Sequence, residues 1–203
     1  IILDGVFSHT GSDSIYFNKE GTYPTVGACQ SPDSPYCSWY RFAEYPHRYD
    51  CWWGIDTLPN INELDPSYMD FIIYGKNSVL KHWMGAGIKG WRLDVADELP
   101  GEFLKKLHQE IKKLDDESIL IGEVWEDASN KISYGERRHY LLGDELDGVT
   151  NYPLRRIILD FVLGHQDAAQ VHLALMSLYE NYPRDYFYST VNLIGSHDVP
   201  RIL

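Results

Sequence analysis

Four apolar runs in this chain end the same way, in acid, histidine or both. They are IILDGVFSH (1–9), GWRLDVAD (90–97), ILIGEVW (119–125) and TVNLIGSHD (190–198). A carboxylate placed directly after buried apolar residues is costly unless it is paired or used. Each run reads as a strand, and helical periods stand between them. Asp65-Pro66 opens a helix as N-cap and first helical residue, with Phe71, Ile72, Val79, Leu80 and Trp83 on its period and Gly85 and Gly87 ending it. Leu99-Pro100 opens a second, with Phe103, Leu104, Leu107 and Ile111 on its apolar face. A weaker strand over 145–149, a helix opening at Pro153 and another over 167–181 complete the order.

Repeated strand–helix units argue for a parallel sheet covered by helices. Five strands fit part of an eight-stranded barrel or an open doubly wound sheet. The 203 residues fall short of the about 250 that a closed barrel usually needs. No glycine-rich phosphate cradle follows any strand, so nucleotide-binding readings are weak. In a parallel barrel the strand ends would converge on one face, where active sites are built. That face would carry Asp4 and His9, Arg92 and Asp94, Glu123, and His197 with Asp198.

Residues 10–60 have no helical period and are rich in Gly, Pro, Ser and aromatics. Irregular chain of that length is usually functional or an inserted subdomain. Tyr36, Trp39, Tyr40, Phe42, Tyr45, Tyr49, Trp52 and Trp53 crowd into it. Some would stack on the C–H faces of sugar rings, and roughly half are expected simply to form the subdomain's core.

With 18 basic against 30 acidic residues the net charge is -12. That balance disfavours nucleic acid and anionic membranes, which need clustered Lys and Arg. The densest basic cluster, Lys105, Lys106, Lys112 and Lys113, is interrupted by acids and reads as a solvated helix face. No apolar run approaches the roughly 20 residues of a membrane span. No signal peptide is seen, so the expected location is cytoplasmic. Cys29, Cys37 and Cys51 are an odd set, expected as reduced thiols, although Cys29 and Cys37 could pair under oxidising conditions. No metal-ligand set is read from the residues.

Two carboxylates with aromatics point to glycoside chemistry: one attacks the anomeric carbon, the other protonates the leaving oxygen and later activates water. An arginine beside the nucleophile keeps it ionised.

At these residues the sequence resembles the α-amylase family of glycoside hydrolases. DGVFSH (4–9) is similar to the motif ending barrel strand three, and LPNIN (58–62) to the motif near the end of the inserted domain B. GWRLDVADE (90–98), GEVW (122–125) and GSHD (195–198) resemble the motifs of strands four, five and seven. The resemblance implies a partial (β/α)8 barrel of strands three to seven. Strand three would span 1–9, domain B 10–63, and the remaining helices and strands 64–203. It implies Asp94 as nucleophile, Glu123 as acid/base and Asp198 as the third carboxylate. Arg92 would orient Asp94, His9 and His197 would bind the same sugar ring, and Asp4 would be structural.

Ser8 stands where many members carry an Asn that helps bind a structural calcium. That argues against calcium there, and no cofactor is required. Val95-Ala96-Asp97-Glu98 and Trp125 look more like the neopullulanase, cyclomaltodextrinase and maltogenic amylase branch, with Glu98 and Trp125 near the substrate. The activity implied is retaining hydrolysis of α-1,4 or α-1,6 bonds in maltooligosaccharides, starch, pullulan or cyclodextrins. Glucan transfer and a non-catalytic binding or transport role are the alternatives. The resemblance further implies that strands one, two and eight and a C-terminal β-domain belong to a longer parent chain. In that branch an extra N-terminal domain often mediates homodimerisation.

Overall fold

The computed structural model describes residues 1–202. A four-stranded parallel sheet runs in the order β1 (Leu3–Gly5), β4 (Gly90–Leu93), β5 (Ile119–Gly122), β8 (Gly148–Val149). With its covering helices it is part of a (β/α)8 barrel. Leu3, Asp4 and Gly5 lie beside Trp91, Arg92 and Leu93; Arg92 and Leu93 lie beside Ile121 and Gly122. This register fixes the site. Asp94 and Glu123 each follow the last paired residue of adjacent strands, so they emerge side by side at the sheet's C-terminal edge.

The core lies between this sheet and α3 (Gly101–Leu114), whose Phe103, Leu104, Leu107 and Ile111 are buried with Trp91, Leu93 and Leu120. Their spacing puts them on one helical face. The lysines of α3 pair with acids: Lys105 with Asp144, Lys106 with Glu102, Lys112 with Asp147 and Lys113 with Glu110.

The single helix expected after Asp65 is two. Asp65 caps α1 (Pro66–Met69) by accepting from the Ser67 and Tyr68 amides. A π-helical turn, Asp70–Tyr74, follows and stops at Gly75, where any Cβ would lie 2.6 Å from the Asp70 carbonyl oxygen. Ser78 then caps α2 (Val79–Gly85). Two side-chain caps this close define two helix starts.

Several strands are shorter than expected. The first is confined to Leu3–Gly5, with Ile1 exposed; from Ser8 the chain turns to pair with Asn60 and Ile61. The second stops at Leu93, because Val95 adopts a left-handed backbone. Over 145–149 only Gly148–Val149 is strand. The strand expected over 190–198 is one parallel bridge, Val191 beside Thr150. It is held by Asn151 N–H to the Val191 carbonyl and Val191 N–H to the Val149 carbonyl. Beyond it the chain has no ladder among the described residues.

Between β1 and α1 the regular elements are short: a hairpin, β2 (Phe42–Glu44) with β3 (Arg48–Tyr49), and two 3-10 turns, Cys37–Trp39 and Trp52–Gly54. Aromatic packing organises the rest: Phe17 is fully buried among Tyr40, Phe42 and Tyr49. Cys29, Cys37 and Cys51 are free thiols. A second hairpin, β6 (Ile132–Ser133) with β7 (Glu136–Arg137), follows β5. The helices α4 (Tyr152–Val162), α5 (Ala168–Asn181) and α6 (Arg184–Ser189) complete the fold; α5 carries a capping box, Asp167 with Gln170. No helix among the described residues is long and apolar enough to cross a membrane.

Candidate active site

Arg92 is central to the edge where β1, β4 and β5 end. Its Nη1 donates to Asp4 Oδ1 at 2.6 Å and to Asp94 Oδ1 at 2.7 Å, and its Nη2 lies 2.8 Å from Glu123 Oε2. Burial alone would lower the arginine's pKa. The hydrogen bonds to Asp4 and Asp94 and the charges of Glu123 and Asp4 outweigh it and push the pKa up. The cation is therefore permanent and serves three carboxylates.

Glu123 is only 3% exposed. A buried carboxylate needs pairing and further donors, and it has both. Oε2 accepts from the Val95 amide at 2.8 Å and is ion-paired with Arg92 Nη2; Oε1 accepts from Trp125 Nε1 at 3.0 Å. The left-handed Val95 (φ 36°, ψ 70°) is strained by roughly 1–3 kcal/mol for a β-branched residue. Arg138, donating to the Ala96 and Leu99 carbonyls, holds the turn that follows.

Asp94, Glu98, Glu123, Trp125 and Asp198 share one cavity of about 650 Å³ with Trp52, Trp53 and Tyr134. Trp125 stacks on Tyr152 with ring centres 4.2 Å apart. The Tyr152 hydroxyl lies 3.1 Å from Ser196 Oγ, which accepts from the Asp198 amide. That relay connects the wall beside Glu123 to the turn bearing Asp198. Opposite, Glu98 accepts from Trp53 Nε1 at 3.0 Å and from the Tyr134 hydroxyl at 2.6 Å. The bond to Glu98, with burial, pushes the Tyr134 phenol up to about 12. Trp52 and Trp53 stack at 4.4 Å, and His9 packs on Trp52 at 5.3 Å. Burial lowers the His9 pKa, partly offset by the charges of Asp94 and Glu98, which favours the neutral ring.

Most of the residues singled out in the sequence thus meet. Asp94, Glu98, Glu123, Trp125 and Asp198 line the cavity, Arg92 stands behind them, and His9 approaches through Trp52. His197 does not join them: its side chain is 75% exposed and, among the described residues, pairs only with Asp198. Tyr134, Tyr152, Lys131 and the Val95 amide were not foreseen. Lys131 ties the β6–β7 loop to the site through Asp97 and Glu126. Ser8 is buried with its hydroxyl on His9 Nδ1, and the described residues hold no group of three or more His, Cys, Asp or Glu placed for a metal ion.

Comparison with known proteins identifies the family. The profile described as "Alpha amylase, catalytic domain" matches residues 1–203. The amylopullulanase of Thermoanaerobacterium saccharolyticum is 41% identical over 232 residues, covering 100% of this chain and 17% of that protein. The cyclomaltodextrinase of Geobacillus thermopakistaniensis is 31% identical over 212 residues, covering 100% of this chain and 32% of its own length. Among solved structures, the cyclic α-maltosyl-(1→6)-maltose hydrolase of Arthrobacter globiformis in complex with maltose superposes with a TM-score of 0.82 at 27% identity. That match covers 99% of this chain and 43% of the hydrolase. The chain therefore spans less than half the length of each of these relatives. It belongs to the α-amylase catalytic-domain family of glycoside hydrolases.

Proposed function

We propose that the protein is a retaining hydrolase of α-glucosidic bonds in maltooligosaccharides, starch, pullulan or cyclodextrins, with Asp94 as nucleophile and Glu123 as acid/base. The observation that carries this reading is the Arg92 guanidinium, which bonds to Asp94 through one nitrogen and to Glu123 through the other. Two carboxyls held by one planar group suit the close pair of a retaining glycosidase, about 5–5.5 Å apart.

The hydrogen bonds divide the work between oxygens. Asp94 Oδ1 is held by Arg92, while Oδ2 has no hydrogen bond among the described residues and is the atom free to attack the anomeric carbon. Glu123 Oε2 is engaged by the Val95 N–H and the Arg92 ion pair; Oε1 accepts one hydrogen bond and keeps a lone pair for the proton. In the first step that proton passes to the leaving glycosidic oxygen as the Asp94–glucosyl bond forms. In the second, Glu123 takes a proton from water, whose oxygen displaces Asp94. Two inversions return the α-anomer.

Asp198 would grip hydroxyls of the distorted ring, and His9 would bind the same ring. Trp125 and Glu98 would meet the acceptor side, beside the exposed rings of Trp53 and Tyr134. No step needs a cofactor. Glucan transfer differs only in that a sugar hydroxyl replaces water.

Proton NMR of fresh maltotriose digests tests the reading, with Glu123→Gln beside wild type. The expected result is α-anomeric product first, no longer oligomers and an inactive variant. β-Anomer first would refute retention, longer oligomers would favour transfer, and no cleavage of maltotriose, pullulan or cyclodextrin would leave a binding role.

A further inference from the structure

The join between β4 and β5 contains a one-residue slip. Glu123 N–H bonds to the Leu93 carbonyl at 2.9 Å, so in a regular parallel ladder the next rung would run from Val95 N–H to the Glu123 carbonyl. Ala96 N–H takes that rung instead, at 3.0 Å. The left-handed backbone of Val95 absorbs the extra residue, and its freed amide turns onto Glu123 Oε2 at 2.8 Å. The slip is locked from outside: Glu98 N–H closes a turn onto the Val95 carbonyl, and Arg138 bonds to the Ala96 carbonyl. A strained residue, an interrupted ladder and a redirected amide thus coincide at one carboxylate.

We propose that Val95 is a positioning residue for Glu123, its main-chain N–H fixing Oε2 so that Oε1 faces the leaving oxygen. This rests on the acid/base reading of Glu123. Removing the donor would leave Asp94 and the fold in place while loosening the acid.

Replacing Val95 in the full-length protein by its α-hydroxy analogue, which exchanges the amide N–H for an ester oxygen and keeps the side chain, tests this directly. A sugar leaving group needs protonation, whereas 4-nitrophenolate leaves with little help. The ester protein should lose roughly ten- to a hundredfold in kcat on maltotriose with KM little changed. On 4-nitrophenyl α-glucoside the loss should stay within about threefold. Unchanged kcat on maltotriose, or equal loss on both substrates, would overturn the assignment.

Should the ester protein not fold, Arg138→Lys decides: it loosens the turn that aims the Val95 amide, so kcat on maltotriose should fall about tenfold while the loss on 4-nitrophenyl α-glucoside stays within about threefold. Unchanged kcat on maltotriose, or equal loss on both substrates, would overturn the proposal. Glu123→Gln separates the two claims: if it is active, both fall; if it is dead beside an unaffected ester protein, only the Val95 assignment falls.

Discussion

Phe17 and Phe103 are both fully buried, yet they are buried by different means. Phe103 sits on a regular helix whose apolar face covers a hydrogen-bonded sheet, touching Phe7 edge-on. Phe17 sits in irregular chain, held by the rings of Tyr40, Phe42 and Tyr49 at 4.7–6.0 Å. The sheet delivers Asp94 and Glu123 by backbone register. The irregular segment delivers Trp52 and Trp53 on a short turn, Trp52 N–H bonding to the Leu58 carbonyl, which the ring cluster reaches through the Tyr49 hydroxyl on the Asp56 carbonyl. The catalytic pair is thus placed by a hydrogen-bonded sheet, and the aromatic wall by irregular chain that leans on ring contacts.

The largest effect expected from this contrast is on the sheet side. Asp94→Asn should cut kcat on maltotriose by on the order of 10⁴-fold or more while leaving the thermal midpoint nearly unchanged. Steady-state kinetics beside a thermal melt checks both. A variant keeping a tenth of the activity would remove Asp94 from the chemistry.

Phe17→Ala and Phe103→Ala should each destabilise by about 3–5 kcal/mol. They should part in function. At temperatures where both variants remain folded, Phe17→Ala should raise KM by loosening the Trp52–Trp53 wall, and Phe103→Ala should not. Equal KM values in the two variants would erase the proposed division of labour.

A smaller effect lies where the two regions meet. Burial pushes the Glu63 carboxyl up to about 7 from an ordinary value of 4.5. A folded pKa above the unfolded one means that the folded state binds the extra proton. The resulting stability is present below about pH 4.5 and lost as pH rises through 7. Glu63→Gln should therefore stabilise at pH 8 relative to pH 4.5 by roughly 2–3 kcal/mol. Urea melts at the two pH values check the difference.

The smallest effect is on the wall itself. Trp53→Phe removes the hydrogen bond to Glu98 and should raise KM for maltohexaose by roughly threefold to tenfold. The same change should leave 4-nitrophenyl α-glucoside untouched. Parallel losses on both substrates would place Trp53 nearer the chemistry than its position at the mouth suggests.

Asp94 and Glu123 were legible because each follows an apolar run whose burial makes an idle charge expensive; the run before Asp198 is exposed at Val191 and Ile194. The helix carrying Phe103 was legible because its period is unbroken. Ser78 was overlooked as a cap because the apolar spacing runs straight across it. The β6–β7 hairpin has strands of two residues, too short to carry a period, so Tyr134 could not be placed against Glu98. Tyr152 matters through its stack on Trp125 and its hydroxyl on Ser196, contacts that no local pattern announces. The strand expected over 190–198 has the right residues, but a strand exists only by pairing, and Val191 alone is paired.

The central claim, a covalent glucosyl intermediate on Asp94, is open to direct observation. Intact mass and peptide mapping after incubation with 5-fluoro-α-glucosyl fluoride, whose ester with the enzyme should hydrolyse slowly, would show one added fluoroglucosyl unit on the peptide bearing Asp94. An adduct on Glu123 or Asp198, or turnover with no adduct and β-anomeric product, would contradict the account.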